Sequence, residues 1–343
     1  MQKLRLSVLG YGHWGPNYVR LLQQNPATEI ISCVEPDPKR QAILKSEWPQ
    51  VDVLSESQSL WQQADLDAVI IATPAHTHFE LAYQALRAGK HVLCEKPLSL
   101  SENEIISLDQ LAKSQQLILM VGHTFLFNTG IQYIQQHLHE LGELYYIHTS
   151  RTNLGPVRHD VSAVADLATH DFSILMALLK GLPLEISARG QSFLQPGLQD
   201  LAFITLQYPD KVLAHVHVSW LCPVKVRQIT VVGQKKMLTW NDLNPLEPIR
   251  IYEIGGLQEP YYQDFGQFQR LAQHGDIHIP SLRSQEPLKQ VLSEFIDCIQ
   301  TGRVPVSNAE FAQNITQMIN VTQASMELGG QALTLRQAAD PSA

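Results

Sequence analysis

Residues 4–17 read LRLSVLGYGHWGPN, and the reading of the whole chain starts there. Leu4, Leu6, Val8 and Leu9 form a short apolar run of the kind shown by a buried parallel strand. The run breaks into Gly10-Tyr11-Gly12-His13-Trp14-Gly15, a G-x-G-x-x-G turn, and a helical pattern then carries Val19, Leu21 and Leu22. In such a turn the first glycine permits the bend, the second lets the backbone approach a pyrophosphate, and the third lets helix and strand pack closely. The N-terminus of the helix offers unpaired N–H groups and a partial positive charge to phosphate oxygens.

Glycines at this spacing arise by chance, so the context decides. A dinucleotide-binding turn calls for an acidic residue about 20 positions on, at the end of a second strand. Ile30-Ile31-Ser32-Cys33-Val34 is that strand and Glu35 ends it, with Asp37 as the second choice. A carboxylate there accepts hydrogen bonds from the adenosine ribose hydroxyls and repels a 2′-phosphate, which favours NAD over NADP. His13 and Trp14, inside the glycine turn, are placed to cover the cofactor.

The chain has 343 residues, with 25 Lys+Arg against 33 Asp+Glu and a formal charge of −8. That length allows about two domains, and a hydrophobic fraction of 44% supplies a core. The acidic balance argues against a nucleic-acid or anionic-membrane partner. Cys33, Cys94, Cys222 and Cys298 lie far apart with no C-x-x-C spacing, which points to a reducing cytoplasm without disulfides or a metal site. No apolar run is long enough to span a bilayer, and the N-terminus has no signal-peptide pattern.

Up to about residue 122, strand and helix patterns alternate. Asp37-Pro38 starts a helix to Trp48, followed by a strand at Val51–Leu54, a helical turn at Ser57–Ala64 and a strand at Asp67–Ala72 that ends in Thr73-Pro74. A helix at Thr77–Arg87, closed by Gly89, leads to the strand His91–Cys94, which ends in Glu95-Lys96-Pro97. Ser101 and Glu104 form a capping box for the next helix, and Leu117–Val121 is a sixth strand. This alternation predicts a doubly wound parallel sheet, an N-terminal Rossmann domain over 1–122. Ligands of such sheets sit at the carboxyl ends of the strands, where Gly10–Gly15, Glu35, Thr73, Pro74, His78, Glu95 and Lys96 all fall.

Residues 123–343 read as a C-terminal substrate-binding and oligomerisation domain, α/β with a large, mostly antiparallel open sheet. Ile131–Leu141 is helical, Leu144–Ser150 a strand, Asn153–Asp160 a loop and Ser162–Leu179 one long amphipathic helix. Strands at Leu184–Arg189, Ala202–Gln207, Val212–Trp220 and Val226–Val232 suggest antiparallel meanders. Residues 240–284, which hold Tyr261-Tyr262, read as irregular connection or short strands, and two helices, Pro287–Gln300 and Ala309–Leu328, close the chain.

The glycine turn with Pro16-Asn17, the Glu95-Lys96-Pro97 motif and Asp166-Leu167-Ala168-Thr169-His170-Asp171 occur in that order. Together with AGKHVLCEKPLSLS and EFIDCIQTGRVPVSNAE they resemble the glucose–fructose oxidoreductase/inositol dehydrogenase/rhizopine-catabolism (Gfo/Idh/MocA) family over nearly the whole chain. VGHTFLFN and NLGPVRHDV look most like its UDP-N-acetylglucosaminuronate 3-dehydrogenase-like branch. The resemblance implies an NAD(P)-dependent oxidoreductase acting on a secondary alcohol or ketone of a sugar or nucleotide sugar. It also implies a cytoplasmic homodimer or homotetramer, a cis Lys96–Pro97 bond, and catalytic roles for Lys96, Asp166 and His170. Ala165 and Thr169 depart from the branch, where Trp and Pro or Gly are common, so the pocket beside the catalytic groups differs. A dinucleotide-sensing regulator of the same fold is the alternative, and it would lack the lysine or the histidine.

The chemistry suits those residues. Removing a hydride from a carbinol needs a base for the hydroxyl proton and positive charge beside the developing oxyanion. Imidazole, whose ordinary pKa lies near neutrality, makes His170 a suitable base. Lys96 supplies a donor and a charge, and Asp166, four residues before His170, shares one face of a helical turn with it. His123, Asn128, Arg158 and Asp166 are candidate substrate contacts. Arg158 suits a phosphate or carboxylate, and Asp171 reads as structural.

Overall fold

A computed structural model describes residues 3–254 and 274–335, and the Tyr261-Tyr262 pair lies outside the described residues. The chain divides into two compact units, Met1–Phe127 with Gln285–Gln317, and Asn128–Ser284 with Met318–Ala343.

The first unit is a six-stranded parallel sheet, β1 (Leu4–Leu9), β2 (Thr28–Val34), β3 (Asp52–Leu54), β4 (Ala68–Ile71), β5 (His91–Cys94) and β6 (Leu119–Val121). Its order is β3-β2-β1-β4-β5-β6, the Rossmann arrangement. Helices α1 (Gly15–Gln23), α2 (Pro38–Glu47), α3 (His78–Arg87) and α4 (Glu102–Ser114) connect the strands. Successive side chains of β1 serve opposite faces. Leu6 and Val8 join a core with Tyr18, Leu22, Ile30, Leu93 and Met120. Leu9 belongs to a second core with Val69, Ile71, Leu86, Val92, Ile105 and Leu108. Both faces are therefore dry, which is why the strands read as unbroken apolar runs.

The cut between units differs from a single break at 122/123. The late helix Pro287–Thr301 belongs to the first unit, because its apolar stripe of Leu288, Val291, Leu292 and Phe295 packs into the core of Leu6 and Tyr18. Local capping follows the sequence in part. The Asp37 carboxylate accepts from Lys39 N at 2.8 Å with Pro38 in the first turn. Ser101 Oγ accepts from Glu104 N at 3.4 Å, but the Glu104 carboxylate takes the Ser99 hydroxyl rather than returning to Ser101 N. The capping box is thus half formed, and Ser99 Oγ accepts the Ser101 amide instead, at 3.0 Å.

The second unit is built on a nine-stranded sheet. It contains β7 (Leu144–Leu154), β8 (Glu185–Gln191), β9 (Leu201–Gln207), β10 (Leu213–Ser219), β11 (Leu221–Gly233), β12 (Lys236–Asn241), β13 (Ile249–Ile254), β14 (His274–His278) and β15 (Leu333–Thr334). The order is β14-β13-β12-β11-β7-β10-β9-β8-β15. Strands β8, β9 and β10 form the expected antiparallel meander, but it stops there. β10 pairs in parallel with β7, and β11 pairs with β7 from the other side. Only buried Trp220 separates β10 from β11. A hairpin needs a two-residue loop at the least, so β11 cannot fold back on β10.

Helix α5 (Thr129–His137) packs close to the sheet through Gly130, where a Cβ would lie 2.3 Å from Trp240 Nε1. The stretch expected as one helix over 162–179 is two. A π-helical turn, Val164–Ala168, precedes α6 (Thr169–Leu179). Ser162 Oγ caps the start by accepting from Ala165 N at 3.3 Å, and within the widened turn Thr169 Oγ1 donates to Ala165 O at 2.6 Å.

Candidate active site

In the first unit the glycine turn is built as its spacing requires. Gly10 has φ +96°, and a Cβ there would lie 2.7 Å from Ala72 O. A Cβ on Gly15 would lie 2.1 Å from Gly10 O, so only glycine lets α1 begin so close to β1. A cradle of this shape, with only the end of the Arg40 side chain near Gly12 and a helix N-terminus behind it, fits a pyrophosphate. His13 and Trp14 stack edge to face beside it, with Trp14 exposed.

Glu35 sits at the end of β2, 3% exposed. One carboxylate oxygen accepts from Tyr11 N at 2.7 Å and the other from Asp37 N at 2.9 Å. The same side chain that would meet a ribose therefore also shapes the glycine turn. A carboxylate has about four acceptor sites, so two amides leave capacity for hydroxyls. Arg40, which sequence reasoning passed over, brings Nη1 to 3.9 Å from Glu35 and within 3.4 Å of a Cβ placed on Gly12. Its position one turn into the helix begun by Asp37-Pro38 was the available signal.

At the end of β5 the Lys96–Pro97 peptide is cis. Lys96 is half-buried, and the Glu95 carboxylate beside it is buried. Glu95 Oε1 accepts from Tyr18 Oη at 2.7 Å, and Oε2 accepts from Lys96 N at 3.3 Å. Burial raises the Glu95 carboxyl above the ordinary range, opposed by the Tyr18 hydrogen bond and the Lys96 charge. Tyr18 was also missed; it hides as one large residue in the aliphatic face of α1. His123, just past β6, is 2% exposed, and neither ring nitrogen has a hydrogen-bond partner. Burial, then the charge of Lys96, pushes its imidazole down to about 3, so it is neutral. Thr73 Oγ1 is tied to Thr77 Oγ1 at 2.6 Å beside Pro74. The His78 ring is turned inward, held between Pro97 O and Thr73 O.

In the second unit Asp166 lies in the π-helical turn and His170 in the first turn of α6. Turns of this kind are frequent at functional sites. Arg158 Nη1 donates to Asp166 Oδ1 at 3.3 Å while Nε and Nη2 grip Asp160, at 2.9 and 2.6 Å. The hydrogen bond to Asp160, then the charges of both aspartates, raise the guanidinium pKa and keep it charged. Arg158 and Asp166 are thus brought together. Asn128 is not with them: its Oδ1 caps α5 by accepting from Gly130 N at 2.9 Å, and its Nδ2 donates to Asp242 at 3.0 Å. Asp171 is structural, buried against Arg151.

The description "Oxidoreductase family, NAD-binding Rossmann fold" (GFO_IDH_MocA) matches residues 4–123, and the "GFO/IDH/MocA C-terminal domain" matches residues 133–239. The chain belongs to the Gfo/Idh/MocA family. Among its relatives, the oxidoreductase YdgJ of Escherichia coli is 29% identical over 258 residues, 71% of this chain and 73% of that protein. UDP-N-acetylglucosamine 3-dehydrogenase of Acidithiobacillus ferrooxidans is 26% identical over 261 residues, 74% of this chain and 79% of that protein. A crystal structure of the latter superposes with TM-score 0.82 at 22% identity, covering 96% of this chain and 99% of that one. GenD2 of gentamicin A biosynthesis, solved in complex with NAD, superposes with TM-score 0.82 at 19% identity and covers 97% of each chain. The Gfo/Idh/MocA assignment makes the protein an oxidoreductase with an NAD-binding Rossmann unit. Among the described residues no cluster could hold a metal ion, and no helix is long and apolar enough to cross a membrane.

Proposed function

We propose that the protein moves a hydride between a nicotinamide dinucleotide, NAD in preference to NADP, and a secondary alcohol or ketone carbon of a sugar or nucleotide sugar. One observation carries the reading: within a dinucleotide-binding unit, Lys96 stands at the carboxyl end of β5 with its backbone N–H held by a buried Glu95–Tyr18 pair. The relative named UDP-N-acetylglucosamine 3-dehydrogenase supports the substrate class. Glu35, buried at the β2 end, supports NAD.

The cofactor, when bound, supplies the hydride acceptor. The chain supplies the rest. Gly10, Gly12 and Gly15 with the α1 N-terminus hold the pyrophosphate, and His13, Trp14, Thr73, Pro74 and Glu95 line the same strand ends. Lys96 Nζ donates to the substrate oxygen and stabilises its developing negative charge. His170, whose Nδ1 is buried, uses Nε2 to take the hydroxyl proton, and returns it in the reverse direction. Asp166, paired with Arg158, orients the imidazole or a neighbouring hydroxyl. His123 offers unpartnered ring nitrogens to substrate or cofactor. The protein acts in the cytoplasm as a homodimer or homotetramer, and light scattering on the purified chain checks the assembly.

The test is NADH fluorescence with a panel of UDP-sugars, uronates and inositols. Lys96→Met and His170→Asn each lower turnover at least about 10²-fold while NAD binding persists. Near-full rates in both variants overturn the assignment. Intact NAD binding without turnover of any sugar favours the dinucleotide-sensing reading.

A further inference from the structure

His78 opens α3 with its ring inside the first unit, 1% exposed. Both ring nitrogens meet backbone oxygens: Nδ1 lies 2.7 Å from Pro97 O and Nε2 lies 2.9 Å from Thr73 O. A carbonyl oxygen only accepts, and a neutral imidazole carries a single N–H. In a neutral ring one of the two contacts would set lone pair against lone pair at hydrogen-bond distance. An imidazolium donates in both directions and makes both bonds charge-assisted. The two carbonyls belong to the turns that leave β4 and β5, so this one ring ties the Thr73–Pro74 turn to the Lys96–Pro97 turn. The first of these is itself fastened to α3 through Thr77 Oγ1, which donates to Pro74 O at 2.8 Å.

We propose that His78 is held as an imidazolium that clamps these two turns and so sets the position of the Lys96 ammonium. It is a positioning residue: its nitrogens are used within the protein and do not reach cofactor or substrate. The charged or titratable residues on the segments it joins are Glu80 and Arg87 on α3, His76 on the β4 turn, and Glu95 and Lys96 on the β5 turn. The importance of Lys96 rests on the function proposed above, whereas the state of the ring does not.

The first measurement uses the full chain labelled with 15N-histidine, without cofactor, at about pH 7.5, where an ordinary histidine is mostly neutral. The His78 signals are assigned by their loss in His78→Gln or, if that variant does not fold, by through-space contacts to Pro97. The expected result is a proton on both ring nitrogens. One protonated and one bare nitrogen overturns the clamp, whatever the enzyme turns over. The second measurement compares His78→Gln and His78→Asn with the parent. Loss of the clamp lowers kcat at saturating NAD at least about tenfold, because a small misplacement of a reacting group is costly. An unchanged kcat in variants that fold overturns the positioning role. If the parent itself turns over no sugar, the functional proposal fails and the NMR result alone decides His78.

Discussion

Replacing Asp171 by alanine tests what holds α6, and with it His170, in place. Arg151 on β7 reaches Asp171 side-on, Nε to Oδ2 at 2.9 Å and Nη2 to Oδ1 at 3.2 Å. The two side chains are 4% and 1% exposed, so water cannot replace a lost partner. Removing one member of such a buried pair typically costs about 3–5 kcal/mol, because the remaining charge keeps its desolvation penalty. At about 2–4 °C per kcal/mol for a unit of this size, the midpoint of thermal unfolding falls by about 6–20 °C. Urea denaturation with circular dichroism gives the free energy directly. Replacing both partners, Arg151→Met with Asp171→Leu, removes the charge with its counter-charge and recovers most of the loss. A loss below about 1 kcal/mol for Asp171→Ala, the value of an exposed pair, refutes the argument.

Two further outcomes follow from the first unit. His123 is pushed down to about 3 when folded, so between that value and about 6.5 the unfolded chain binds more protons and stability falls as pH falls. From pH 7 to pH 5 the parent should lose about 2 kcal/mol more than His123→Gln in paired urea titrations; equal losses contradict the neutral, buried imidazole. Glu35→Ser removes the carboxylate that accepts Tyr11 N and Asp37 N and leaves Arg40 beside the glycine turn. The NAD-over-NADP affinity ratio should drop at least about tenfold by fluorescence titration; an unchanged ratio removes Glu35 from cofactor choice.

The first unit was legible because its signals are local. An apolar run, a glycine turn and a proline in the first turn each specify the structure within a few residues, and all six expected strands form one parallel sheet. The second sheet hid its topology. The four strand patterns from 184 to 232 were visible, but that β11 skips β10 to pair with β7 depends on there being a single residue between them and on a partner about 80 positions upstream. The apolar stripe of Leu288, Val291, Leu292 and Phe295 announced a helix without saying which core it enters. At the candidate site, residue types were readable and their engagements were not. Nothing local to Asn128 separates a substrate contact from a helix cap. At the π-helical turn around Asp166, the Thr169 hydroxyl donates to Ala165 O, a carbonyl that an ordinary helix would give to a backbone amide alone.

The first unit draws on two stretches of the chain far apart in sequence, and this bears on how the protein is made. A ribosome releases all six parallel strands long before it reaches Pro287–Thr301. Until Phe295 and its neighbours emerge, the core of Leu6, Tyr18 and Leu93 lacks one wall. The nascent nucleotide-binding unit must therefore wait, one apolar face bare, while everything from Asn128 to Ser284 is synthesised.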